Sequence, residues 1–308
     1  MRRSLLPFAL ALLLAVAGCG GDDTVDGPAP AARALPGDDR PVVTLGSRTS
    51  TEQILLGQLY KQALEAQGFR VRLKQNIGST RIADAALRNG EIDAYPEYLG
   101  VWNRAVARDR TAYADVRTAL AAARSRAAAE GFVLLDPTRF EHVDAVAVTS
   151  RLAERHGLTT IGDLRSVRDL RLGAPPELYT SPNGLPGLAR AYGLNDVDYA
   201  PLTAGMQYPL LDDERLDAAI VRLTDGQLAE GDRVLLDDPL DLFGVEPLVP
   251  VVAARTLTAE GPDFERTLNA VSAALTTRAM QELNAATTIE HRSAEDVARD
   301  FLREHDLA

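Results

Sequence analysis

Short apolar runs and helical stripes alternate along most of the chain. Val42-Val43-Thr44-Leu45-Gly46 has the length and content of a buried strand. Ser50 follows, with Gln53 three residues on, the spacing of a capping box. Leu55, Leu59, Ala63 and Ala66 then recur at helical intervals until Gly68. Phe69 to Leu73 alternates like a strand, and Ser79 or Thr80 opens a second helix that turns Ile82, Ala86 and Leu87 inward and stops at Gly90. Ile92 to Tyr95 reads as a short strand ended by Pro96, and Thr111 to Glu130 as an alanine-rich helix leading into a strand at Phe132–Leu135. Further strands are predicted at 143–148, 170–173, 217–221, 233–236 and 248–254, with helical segments near 161–164 and 185–192. The tail is helical, and Ser293 caps a last helix with Val297, Phe301 and Leu302 on one face. Strand–helix alternation of this kind predicts an α/β fold with mostly parallel sheets and a ligand site beyond the carboxyl ends of the strands.

The amino end breaks this pattern. Arg2 and Arg3 precede a 14-residue apolar run, Leu5 to Gly18, shorter than the about 20 residues a membrane-crossing helix needs. The run closes as Val16-Ala17-Gly18-Cys19, and Cys19 is the chain's single cysteine. Small residues before a lone Cys resemble a bacterial lipoprotein signal: residues 1–18 are read as the removable leader and Cys19 as the lipidated new terminus. Residues 19–41 carry four prolines, five aspartates and few large aliphatics, too little apolar surface to offset chain entropy, and are read as a flexible tether. An extracytoplasmic domain held to the membrane by lipid is expected.

Composition narrows the function. The 308 residues carry a formal charge of −11, which falls to about −13 without Arg2 and Arg3, so no nucleic-acid partner is expected. One cysteine and four histidines, with no two at i, i+4, leave no disulfide framework and no thiolate or paired-histidine metal helix. Glu141-His142-Val143-Asp144 does not make a metal site, because adjacent strand residues point to opposite faces. No Gly-x-Ser-x-Gly is present and no histidine has an obvious nucleophile partner, so no catalytic residue, metal or cofactor is predicted.

Three blocks carry a specific resemblance: Gly46-Ser47-Arg48-Thr49-Ser50-Thr51-Glu52-Gln53, then Gly78-Ser79-Thr80, then Gly90 to Tyr98. Looser blocks follow at Asn183–Leu188, Gly205–Tyr208 and Thr224–Gly226. Together they resemble the substrate-binding lipoproteins of osmoprotectant (glycine betaine/choline/carnitine) ABC transporters. The resemblance implies a type II periplasmic-binding-protein fold with two lobes and a hinged cleft: residues 42–143 and 247–308 in the first lobe, 144–246 in the second, crossovers near Val143 and Pro247. It implies a monomer that binds a small solute without chemistry and hands it to a permease and ATPase.

Quaternary ammonium groups favour aromatic cages, because a methylated cation has no hydrogen to donate. Tyr95 is the cage residue the resemblance assigns here, and alternation after Ile92 and Ala94 aims it at the cleft mouth. Other cage positions differ: Asp144, Leu185 and Arg222 stand where tyrosines are expected. Three lost rings would cost on the order of 2–6 kcal/mol. Arg222 could instead fork a carboxylate and Asp144 take an ammonium bearing hydrogens, or the two could pair with each other. Arg48, with Gln53 and Thr80 at two helix starts, suits an anionic end of the solute; His142 and Thr224 complete the candidate ligand set. Two alternatives stay open: a binder of another polar zwitterion such as an amino acid, and a sensory or scaffold lipoprotein with the same fold.

Overall fold

The computed structural model describes residues 41–111, 113 and 115–308. The leader, Cys19 and all of the tether except Pro41 lie outside the described residues. Among the described residues, ten strands are β1 (Val42–Gly46), β2 (Arg70–Lys74), β3 (Ala94–Tyr98), β4 (Phe132–Leu134), β5 (Asp144–Thr149), β6 (Arg171–Ala174), β7 (Asp198–Pro201), β8 (Ala218–Arg222), β9 (Arg233–Leu236) and β10 (Leu248–Ala253). They form two five-stranded sheets, one per lobe, in the orders β2-β1-β3-β10-β4 and β7-β6-β8-β5-β9.

Both sheets are mixed, which corrects the expectation of mostly parallel pairing. β1–β2 and β6–β7 are parallel, but β10 runs antiparallel to β3 and β4, and β5 antiparallel to β8 and β9. The antiparallel strands β5 and β10 each follow a passage from one sheet to the other. The passages lie side by side: Glu141 bridges Pro247, and the His142 amide donates to the Glu246 carbonyl at 2.9 Å.

Local signals act as the sequence suggests at several places. The Ser50 hydroxyl accepts from the Gln53 amide at 3.3 Å and starts helix Thr51–Ala66, whose Leu55, Leu59 and Ala63 are fully buried. Ser293 caps helix Ala294–Glu304, which lays Val297, Phe301 and Leu302 into the core. Helix Thr80–Arg88 turns Ala83, Ala86 and Leu87 inward and leaves Ile82 more than half exposed. The alanine-rich helix begins at Val116, because the Asp115 side chain caps it by accepting from the Thr118 amide at 2.8 Å. The preceding residues Leu99–Trp102 and Asn103–Ala107 form a helical turn and a π-helical turn that periodicity did not reveal.

Pro96 does not end its strand. β3 runs through it, and Pro96 faces Pro250 across the β3–β10 ladder. The Pro250 carbonyl accepts from the Leu135 amide on its other side, so the two prolines oppose each other where that ladder makes no hydrogen bond.

The first sheet is covered on both faces. One holds Leu55, Leu59, Ala94, Tyr98, Phe264 and Phe301; the other holds Leu87, Ile92, Tyr95, Leu99, Trp102 and Val251. The second sheet packs Ile161, Leu164, Leu188 and Tyr192 on one side and Tyr208 and Leu211 on the other.

The tail returns to the second sheet's loops. Helix Thr277–Thr288 packs against the turn Gly226–Leu228. Gln281 Nε2 donates to the Leu223 carbonyl at 2.8 Å, and Asn284 Nδ2 to the Thr224 carbonyl at 2.7 Å. A Cβ at Gly226 would lie 2.5 Å from the Ala285 nitrogen, against helix backbone that cannot swing away. Gly226→Ala is therefore expected to destabilise the protein by about 1–3 kcal/mol, read as a lower urea midpoint with an unchanged m-value.

Candidate functional site

The turn after β1, the start of helix Thr51–Ala66, the Gly78-Ser79 turn, the end of β3 and the crossover at His142 converge on one cleft of about 560 Å³. Arg48, Thr49, Ser50, Glu52, Gly78, Ser79, Tyr98 and His142 line it. Two helices begin at this cleft, so their first-turn N–H groups give it a partial positive charge.

Glu52 organises the wall. Its Oε1 accepts from the Tyr98 hydroxyl and lies 2.9 Å from His142 Nδ1, while its Oε2 accepts from Asn284 Nδ2 at 2.7 Å. The His142 ring stacks on Tyr98, with centroids 4.2 Å apart and planes 10° from parallel. The Thr224 hydroxyl stands 3.5 Å from His142 Nδ1. Burial pushes the Glu52 carboxyl up, but the hydrogen bond and charge of His142, with bonds from Tyr98 and Thr224, bring it down to about 2. Burial and the neighbouring Glu52 carboxylate push the Tyr98 hydroxyl well above the usual phenol range, so it stays a donor.

Arg48 forms the second half. Its guanidinium pairs with Glu97 at 3.0 Å, donates to the Thr80 hydroxyl at 3.3 Å, and lies 5.3 Å from the centre of the Tyr98 ring. Glu97 is fully buried; burial raises its carboxyl pKa, and Arg48 and Thr80 only partly offset this.

The structure thus brings Arg48, Thr80, His142 and Thr224 together around the cleft. Gln53 is fully buried, and neither carboxamide atom has a hydrogen-bond partner among the described residues. Tyr95 does not face the cleft, contrary to expectation. It is packed among Ile92, Leu99 and Trp102, and its hydroxyl has no hydrogen-bond partner among the described residues. The alternation argument failed because β3 is buried on both faces, which leaves no solvent side to point to. Asp144 and Arg222 are register partners on β5 and β8, and their side chains pair at 3.1 Å. Arg222 also donates to the His142 carbonyl at 3.1 Å. Burial raises the Asp144 carboxyl pKa, with Arg222 and His142 pulling the other way. Leu185 begins helix Leu185–Tyr192, and Tyr208 donates to Asp225 at 2.6 Å.

Glu52, Glu97, Tyr98 and Asn284 were missed as individual site residues. The first three stand inside the matched blocks, and an acid in the first turn of an apolar helix was the available signal for Glu52. Asn284 lies 232 positions from Glu52 and carried none.

A family model, OpuAC, the substrate-binding domain of ABC-type glycine betaine transport systems, matches residues 41–304. The chain belongs to this family. It is the substrate-binding component of a glycine betaine/carnitine/choline ABC uptake system, an extracytoplasmic binding protein and not an enzyme. It is 30% identical over 283 residues to the glycine-betaine-binding protein of Pseudomonas aeruginosa, covering 85% of this chain and 88% of that one. The glycine betaine-binding protein YehZ of Escherichia coli is 29% identical over 300 residues, 89% of this chain and 94% of that one. Among solved structures, a glycine betaine/carnitine/choline ABC transporter protein superposes with a TM-score of 0.81 at 25% identity, over 87% of this chain and 99% of that one. Among the described residues of the binding protein, no helix is long and apolar enough to cross a membrane, and no acidic, histidine and cysteine side chains cluster as a metal site.

The depressed Glu52 pKa makes this wall sensitive to acid. Its contribution is complete above the unfolded-state value of 4.5 and is lost as pH falls towards about 2. The difference corresponds to about 3 kcal/mol. Urea unfolding followed from pH 6 to pH 2.5 is expected to show a loss of that order that Glu52→Gln does not show.

Proposed function

We propose that the cleft takes a small solute carrying both a quaternary ammonium and a carboxylate, a betaine, in preference to a simple methylated cation. The observation that carries this reading is the convergence of Arg48 with two helix starts on the same opening. A carboxylate suits all three, since each offers N–H donors and positive charge. The outer face of the His142 ring, backed by Tyr98 and by the Glu52 carboxylate, suits the cationic end. Asp144 and Arg222 satisfy each other, so a clamp that splits them between the two ends of an amino acid has less support.

Residues 42–143 with 247–308, and 144–246, then form the lobes, and the paired passages at Glu141–Val143 and Glu246–Pro247 form the hinge. Closure presents the solute to permease and ATPase subunits. Cys19 carries the lipid that keeps the protein at the membrane. A Cys19→Ala chain is expected to leave the membrane fraction for the soluble one when cells are fractionated.

Calorimetric titration tests the solute class. Glycine betaine and carnitine are expected to bind more tightly than choline, ectoine and amino acids. Arg48→Gln should weaken glycine betaine about 10- to 100-fold, the worth of one charge-assisted hydrogen bond, and leave choline within a few-fold. Equal losses for both, or no change for either, would remove the carboxylate from the Arg48 side. His142→Leu should weaken both solutes by about 2- to 30-fold.

A further inference from the structure

A second concavity, of about 760 Å³, lies on the first lobe away from the solute cleft. It is formed by helix Thr80–Arg88, the π-helical turn Asn103–Ala107 with the residues after it, and the end of helix Val116–Ala129. Six arginines line it, Arg81, Arg88, Arg104, Arg108, Arg110 and Arg126, against two carboxylates, Asp84 and Glu130. On a chain of formal charge −11, this concentrates positive charge where the overall balance predicts the opposite.

The carboxylates account for only part of it. Asp84 and Glu130 both engage Arg88, Glu130 also pairs with Arg126 at 2.8 Å, and Arg104 pairs with Glu246. Arg81, Arg108 and Arg110 are exposed and make no ion pair or side-chain hydrogen bond among the described residues. Three unmatched guanidinium groups around one hollow repel each other, and an anion seated between them removes that cost. Guanidinium forks match the paired oxygens of phosphate. The volume exceeds what a single phosphate fills. The concave form suits a discrete group, while the chain's net negative charge disfavours approach to a broad anionic surface.

We propose that this groove binds a compact polyanion bearing two or more phosphate groups, held chiefly by Arg81, Arg108 and Arg110. The site is separate from the solute cleft and does not rest on the betaine reading. The same chemistry is offered by a free oligophosphate and by a phosphorylated headgroup, and the test separates them.

Titration of the full chain with sodium tripolyphosphate at low salt is expected to give saturable binding that weakens steeply as salt rises. Orthophosphate should bind at least about tenfold more weakly, having fewer oxygens for the three guanidiniums. Arg81→Ala/Arg110→Ala should reduce tripolyphosphate affinity by about tenfold or more, with glycine betaine titration as the check that the variant is folded. Arginine-dependent flotation with cardiolipin vesicles, whose headgroup carries two phosphates, as well as tripolyphosphate binding would identify a headgroup as one source and support the site. Absence of saturable tripolyphosphate binding, equal affinity in the double variant, or binding to vesicles alone would each overturn it. If glycine betaine fails to bind either form, equal melting temperatures of the two forms serve as the folding check, and the groove is judged on tripolyphosphate alone.

Discussion

A carboxylate buried at the meeting point of distant chain segments dominates this structure. Glu52 sits in the first turn of its helix, where the backbone dipole favours negative charge, yet the site has little water to solvate it. The protein meets that demand with groups from three places: Tyr98 from the end of a strand, His142 from the passage between lobes, and Asn284 from a helix near the carboxyl terminus. Asn284 also holds the Thr224 carbonyl, so the donor that satisfies Glu52 fastens the second lobe's turn to the first. The aromatic wall follows from the same need. His142 reaches Glu52 while lying flat on Tyr98, and that stack forms one side of the cleft.

Much of the fold could be read from sequence because its signals are local. The Ser50 and Ser293 caps, the stripe on helix Thr51–Ala66 and the runs that became β1, β4 and β9 depend on near neighbours only. Sheet direction was not legible. β5 and β10 follow passages between sheets, and their orientation is set by partners more than a hundred residues away in the case of β3 and β10. Position within the sheet misled as well: a strand open on one face would have aimed Tyr95 at the cleft, but β3 lies between two layers of side chains.

The site divides the same way. Thr80 was found because it stands at a helix start facing the opening, while Arg48 and His142 came from the resemblance to the family pattern. Asp144 and Arg222 were found as departures from an aromatic pattern, but their meaning depended on a register that spacing does not give. Once β5 and β8 align, the two side chains stand opposite each other and neutralise one another. Glu97 shows the reverse case. It is buried beside Arg48 and is understood only from that partner.

The facing prolines at the centre of the first sheet have a consequence for assembly. Pro96 and Pro250 meet at a position that asks for no amide hydrogen. Sliding β10 by a single residue along β3 would carry an imide nitrogen to a rung that requires a donor and leave a carbonyl stranded in the interior. A one-residue slip of the arriving strand is thus rejected by the missing hydrogens themselves.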